Sequence, residues 1–154
     1  MMGRLLGIII VASAAIAGVG VWYLQVHAYY QKVDAPEVVL TSVVTGQPER
    51  IPAGNASAID AKSSPLRYRA CFTTPYSQAT LAESYVTYGG AVPLNAPGWF
   101  DCFDATALGA ALESGLAIAL LGKAGVHDGV DRVVAVFDDG RAFSWHQLSG
   151  ERRD

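Results

Sequence analysis

Asp131-Arg132-Val133-Val134-Ala135-Val136-Phe137-Asp138-Asp139-Gly140-Arg141-Ala142-Phe143-Ser144-Trp145-His146-Gln147-Leu148 is the stretch on which the fold turns. Residues 131–137 carry apolar side chains on both faces, the pattern of a central strand covered on both sides, because successive side chains of a strand point in opposite directions. Asp139-Gly140 is the strongest two-residue hairpin signal available, since Gly takes a positive φ at no steric cost. In the return strand Phe143 and Trp145 share one face while Ser144 and His146 share the other. This spacing predicts an antiparallel pair at the centre of a sheet.

Working outward, residues 116–121 form another short apolar run and a second core strand. Asp104 reads as the N-cap of a helix, with Phe103 before the cap able to staple onto Leu108 and Gly115 closing the far end. Residues 66–73 alternate: Leu66, Tyr68, Ala70 and Phe72 face one way, Arg67, Arg69, Cys71 and Thr73 the other. Thr74-Pro75 reads as a cap followed by Pro at the first helical position, opening a helix with Leu81, Tyr85 and Tyr88 on one face and Gly89-Gly90 as its stop. Residues 37–44 are β-branched enough for a strand, and Thr45-Gly46-Gln47-Pro48 turns it toward a short run around Arg50 and Ile51. Residues 52–64, rich in Ala, Gly, Asn and Ser without a period, read as a loop. Within it Asn55-Ala56-Ser57 is a glycosylation sequon, meaningful only in a eukaryotic host. The fold class expected is α+β: an antiparallel or mixed sheet of four to six strands with two helices on one side and no internal repeat.

The N-terminal end is of another kind. Residues 5–24 are twenty in number without one acidic or basic side chain, and a helix of that length spans about 30 Å, the thickness of a bilayer's hydrocarbon core. Ten of the twenty are Leu, Ile or Val, so insertion is favourable by roughly 3 to 6 kcal/mol before Gly and Ser subtract some. Trp22 and Tyr23 suit the aromatic belt. Arg4 precedes the span, whereas Lys32 beyond it is offset by Asp34, which favours a cytoplasmic N-terminus and an exported domain. The rival reading is a cleaved signal peptide, with Ala15-Ile16-Ala17 as the cleavage site and Gly18 as the new terminus. Against it, the chain stays apolar for seven residues past Ala17. Ala14 and Gly18, four apart, would let a second helix approach closely, although small residues are common in membrane helices generally. The expected division is an anchor over 1–24, a juxtamembrane linker over 25–36, an α+β domain over 37–150 and a fraying tail over 151–154.

Hydrophobic residues make up 51% of the chain and charged ones 16%, a skew to which the anchor contributes. A formal net charge of −3 argues against nucleic acid, whose phosphates demand clustered Lys and Arg. The partner expected from composition is the lipid bilayer, through residues 5–24.

Cys71 and Cys102, in an exported domain, read first as a structural disulfide that closes a loop of roughly thirty residues and contributes about 3 to 4 kcal/mol. Redox-active pairs usually stand closer together, as Cys-x-x-Cys. His27, His127 and His146 match no metal-ligand spacing, and no metal or cofactor is expected. His127-Asp128, in a Gly-flanked loop, has the composition of a tuned base, but a surface role is the better reading. A G-x-S-x-G elbow, a Walker loop, a G-x-G-x-x-G and an H-E-x-x-H are all lacking, which lowers the expectation of an enzyme and leaves no catalytic residue to name. Arg67 and Arg69 on one strand face, with Arg132, form a candidate anion site, because guanidinium forks suit carboxylate or phosphate. The plainer reading pairs the first two with Asp101 or Asp104. Trp99 and Phe100, beside Pro97-Gly98, are core or an exposed recognition patch, and core is preferred.

Leu40-Thr41-Ser42-Val43-Val44-Thr45-Gly46, Ser64-Pro65-Leu66-Arg67-Tyr68-Arg69-Ala70-Cys71-Phe72, Ala96-Pro97-Gly98-Trp99-Phe100-Asp101-Cys102-Phe103-Asp104 and Asp131-Arg132-Val133-Val134-Ala135-Val136-Phe137 together resemble a small alphaproteobacterial family of single-pass membrane proteins of unassigned function. Members often run past Trp145-His146-Gln147 into a Cys-bearing tail, which this sequence does not show. Some are labelled histidine kinases, yet no ATP-binding lobe is present here. The resemblance implies a bacterial inner membrane, a periplasmic domain and no known activity. The function expected is a non-enzymatic interaction or accessory module for an envelope protein. The alternatives are a sensor of small anions and, behind it, an unrecognised enzyme around His127 or His146.

Overall fold

The structure is a computed structural model and describes residues 2–150; the tail expected over 151–154 lies outside the described residues. Helix α1 (Met2–Tyr23) continues through a π-helical turn (Leu24–Ala28) into strand β1 (Tyr30–Val33). Then come β2 (Val39–Thr41), β3 (Pro48–Arg50), β4 (Gly54–Ala61), β5 (Arg69–Thr73), α2 (Gln78–Ser84), α3 (Ala105–Glu113), β6 (Ala117–His127), β7 (Val130–Phe137) and β8 (Arg141–Leu148). Six strands form one antiparallel sheet in the order β1-β4-β5-β8-β7-β6, and β2 pairs with β3 in a separate hairpin. The α+β architecture is the one the hydrophobic pattern predicts.

The apolar stretch 131–137 forms β7, flanked by β6 and β8. Its two faces feed two cores. Val134 and Val136 pack with Leu40 and Ile51 of the β2–β3 hairpin region and with Leu81 of α2, whereas Val133 and Ala135 pack with Leu108 of α3, Phe103 and Trp145. The two helices therefore cover opposite faces, not one side: a strand apolar on both faces has to be covered on both.

The turn after β7 is longer than expected. The β7–β8 connection takes three residues, 138–140, with Gly140 at φ +84 and its N–H donating to the Phe137 carbonyl at 3.1 Å. A Cβ on Gly140 would lie 2.6 Å from the Thr74 carbonyl oxygen, so the site excludes a side chain as well as requiring the left-handed backbone. The two-residue turn is instead Asp128-Gly129, between His127 and Val130, which pair directly.

Helix α3 begins where expected: the Asp104 carboxylate accepts from Ala107 N–H at 3.0 Å. It ends in a Schellman arrangement, with Gly115 N–H on Leu112 O, Leu116 N–H on Ala111 O and Gly115 at φ +75. Helix α2 corrects the Thr74-Pro75 reading. Thr74 N–H is taken by Gly140 O, and Ser77 is the cap, accepting from Thr80 N–H at 3.2 Å. The helix also stops at Ser84, well before Gly89-Gly90. Val86 N–H donates to Thr41 O, Leu121 N–H to Val86 O and Tyr88 N–H to Ala119 O. Residues 85–88 thus cover the edge of β6 in extended form, which suits their aromatic and β-branched side chains.

Two segments expected to lack structure are strands. Residues 52–64 contain β4, and the expected linker 25–36 contains β1; each pairs with the other, and β4 also pairs with β5. The small residues of β4 show no period of their own because it is placed by neighbours on both sides, and Ile59 within it is fully buried. Cys71 on β5 and Cys102 stand at disulfide distance, with Cα atoms 6.3 Å apart.

Candidate functional site

Helix α1 has no buried residue, and the continuous helix Met2–Ala28 is long and apolar enough to cross a membrane. Gln25 is the first residue beyond the apolar span, and the folded domain grips the chain there. A helix ends with carbonyls that have no partner of their own, and side chains of the domain fill two of them. Arg67 donates to Gln25 O at 3.0 Å and to Gln25 Oε1 at 2.7 Å, and Trp99 Nε1 donates to Val26 O at 2.7 Å. The His27 ring lies among Trp22, Tyr23 and Trp99, stacked on the last two, and Tyr30 meets Trp99 edge-on. Arg67 also lies over the Tyr30 ring, 5.3 Å from its centroid. Since β1 begins at Tyr30 and pairs with β4, one residue, Tyr29, separates the helical turn from the sheet.

Beside this junction is a cavity of about 650 Å³, bounded by β1, the end of β4, the turn after it and the tip of the β6–β7 hairpin. Its lining includes Lys32, Lys62, Asp60, Asp128, His127 and Ser64. Behind His127, with ring centroids 6.0 Å apart, lies His146, almost wholly buried. The His146 ring stacks on Tyr68 at 4.7 Å, and the Arg132 guanidinium lies 4.1 Å from the centre of that Tyr68 ring. Arg132 Nε donates to His146 Nε2 at 3.0 Å, which makes Nε2 the acceptor; the proton is then on Nδ1, 2.8 Å from the Pro65 carbonyl. Burial lowers the His146 pKa to about 4, against the opposing pull of the Pro65 carbonyl and with help from the Arg132 charge. Burial likewise raises the Tyr68 hydroxyl above its ordinary value, with the Arg132 charge pulling the other way. His146 is therefore a neutral, fully bonded group behind the cavity's lining residue His127.

The three arginines of the candidate anion site do not converge. Arg67 is spent on Gln25, and Arg132 on His146 and Tyr68. Arg69, on the opposite face of the sheet from Arg132, is almost wholly buried and donates to four carbonyls: Leu94 O at 2.7 Å, Leu66 O at 2.8 Å, Tyr68 O at 2.6 Å and Asn95 O at 3.1 Å. Burial lowers its pKa to about 10. The expected ion pairs with Asp101 or Asp104 are not among those of the described residues, which join Arg50 to Glu37 and Arg141 to Asp139. The physical reason is that the irregular stretch 89–100 and the residues just before β5 each leave two carbonyls that the multivalent guanidinium satisfies. Gln147 serves the same stretch, accepting from Val92 N–H at 2.8 Å and donating to Gly90 O at 3.1 Å. Tyr88 donates to Asp131 at 3.2 Å, and burial together with that carboxylate raises its pKa to about 12.

Trp99 and Phe100 part company: Phe100 is core, while Trp99 is partly exposed at the end of the N-terminal helix. Among the described residues no three His, Cys, Asp or Glu are grouped as a metal site. The sequence reading missed Lys32, Lys62 and Asp60, because Lys32 lies in the stretch taken for linker and the other two in the stretch taken for loop. No local pattern links these three residues.

A model described as a family of unknown function (DUF6446) matches residues 38–153, and the chain belongs to that family. The matched region begins after β1 and takes in the rest of the sheet. Neither a curated protein nor a solved structure matches the chain.

Proposed function

We propose that this member of a family of unknown function is a non-enzymatic, membrane-tethered module of the bacterial periplasm that binds or stabilises another envelope protein. Residues 5–24 anchor it in the inner membrane with the N-terminus in the cytoplasm, and Cys71 and Cys102 are oxidised in the exported domain. The observation that supports this reading most is the hydrogen-bonded junction between helix and domain. Arg67 on Gln25, Trp99 on Val26 and the pairing of β1 with β4 give the domain one fixed attitude toward its anchor. A tethered enzyme acting on soluble substrate has no need of such an attitude, whereas a module that meets a neighbour in the same membrane gains by presenting one face without the entropic cost of orienting it.

Crosslinking in living cells, followed by native purification and identification of what is attached, tests the proposal. The expected outcome is a stoichiometric membrane or periplasmic partner. Repeated recovery of an unaccompanied monomer overturns it. The second reading, a binding domain for a small charged ligand, finds support at the cavity rather than at the three arginines.

A further inference from the structure

A second cavity, of about 410 Å³, lies between α3 and the sheet, and neither α1 nor β1 contributes to it. Ala107, Ala110, Ala111 and Ser114 supply the helical wall; residues three and four apart share a helix face, and short side chains there leave room in front of it. The facing wall is aromatic. Phe137 and Phe143 stand edge-on with ring centroids 5.8 Å apart. Strand register puts Arg141 on this same face, because it is two residues from Phe143 on β8 and, with Val136 paired to Ala142, it is the neighbour of Phe137 across the hairpin. Its guanidinium accordingly lies over the Phe137 ring, 4.7 Å from the centroid.

The lining runs the length of α3, from Asp104 to Leu116, and the nine residues of that helix span about 13 Å. A volume of about 410 Å³ spread over that length leaves a cross-section of about 30 Å², a slot suited to one extended hydrocarbon chain. One end is equipped for an anion. Arg141 spends one of its N–H donors, Nε donating to Asp139 Oδ2 at 2.7 Å. That bond and the Phe137 ring hold the guanidinium in place, while its two terminal amino groups have no partner among the described residues. Such a fork fits a carboxylate through two parallel bonds. Asp139 is more than half exposed, so water and salt screen its charge. The other acid of the lining, Asp104, belongs to the far end: Cys102 beside it is bridged to Cys71, which pairs with Phe143, and Phe143 is about 7 Å along β8 from Arg141. One Asp104 oxygen is also occupied as the cap of α3.

We propose that this slot binds an unbranched fatty carboxylate, its head on the terminal amino groups of Arg141 and its chain between α3 and the two phenylalanines.

The full chain in nanodiscs is dialysed to equilibrium against radiolabelled decanoate, and empty nanodiscs read the partition into lipid alone. Saturable binding of one decanoate per chain is expected above that background. Decanol, which has the same chain without the carboxylate, is expected to bind about tenfold more weakly. Arg141→Gln should bring decanoate down to the level of decanol and leave decanol unchanged. Ala110 is exposed, so Ala110→Trp fills the slot without entering the core, and it should remove the binding of both while the unfolding midpoint stays that of the native chain. Ala107→Leu, at a second exposed position, is the substitute filling variant should Ala110→Trp fail to fold. No binding above empty nanodiscs, equal affinity for decanoate and decanol, or full binding in a folded slot-filling variant overturns the proposal.

Discussion

The β7–β8 hairpin and the irregular stretch 88–103 share one hydrophobic cluster, with Val133 and Trp145 from the first and Phe100 and Phe103 from the second, yet different forces hold them. The hairpin closes its own backbone: seven residue pairs from Val130↔Leu148 to Val136↔Ala142 lie in register. The irregular stretch has no ladder. Its polar groups at Gly90, Val92, Leu94 and Asn95 are served by Gln147 and Arg69, and Cys102 ties it to Cys71. The difference teaches that in this domain an irregular segment is buried only where the sheet lends it side-chain donors, because an unpaired buried peptide group costs about as much as a lost hydrogen bond.

Trp145→Ala strikes both regions at once and carries the largest expected effect. The side chain is fully buried, and its indole donates to Gln147 Oε1 at 3.0 Å, so the loss should be about 3 to 5 kcal/mol in a urea titration of the reconstituted chain. A loss under about 1 kcal/mol would mean that the shared cluster does not join the two regions.

Arg69→Met separates them. The volume is roughly kept while four carbonyls lose their donor, and the expected cost is about 2 to 3 kcal/mol. Hydrogen–deuterium exchange should quicken over residues 89–100 and leave residues 130–148 protected. Uniform quickening would show the two regions to be one cooperative unit.

The third effect is one of pH. His146 on the hairpin has its folded pKa lowered from 6.5 to about 4. Between those values the unfolded chain binds a proton that the folded chain does not, so stability falls as pH drops from about 6.5 to about 4 and this contribution is level above. In His146→Gln that part of the slope should disappear from a pH series of unfolding midpoints. A slope that persists unchanged would assign the acid sensitivity to another group.

Legibility followed the same division. Residues 131–148 could be read because period and turn residues act over a few positions, and Asp104 with Gly115 bounded α3 for the same reason. The error over Asp139-Gly140 was one of turn length alone. Strand β4, by contrast, has no period of its own, and β1 hides in what reads as linker. The alternation over 66–73 was correct, but it implied one wet face. The Arg69 side of β5 turned out to be buried under a loop whose carbonyls no local pattern announces. The cavity drew Lys32 and His127 from positions ninety-five residues apart in the chain, so neither spacing nor motif could mark it.

By itself, the amino-acid order determined a long apolar N-terminal helix, the α+β class, a central strand with two dry faces, one capped helix and a cysteine pair suited to bridging. Each of these rests on residues close enough in sequence to share a face, a turn or a cap, the two cysteines excepted, which needed only their type and the expectation of an exported domain. The tertiary structure alone decided that the helices cover opposite faces, that Arg69 binds carbonyls and not acids, that Arg67 and Trp99 hold the end of the N-terminal helix, and that β1 and the turn between β6 and β7 border one cavity. Those outcomes depend on which distant segments meet, and the burial of unpaired polar groups, which selects among such meetings, is a cost that exists only once the chain is folded.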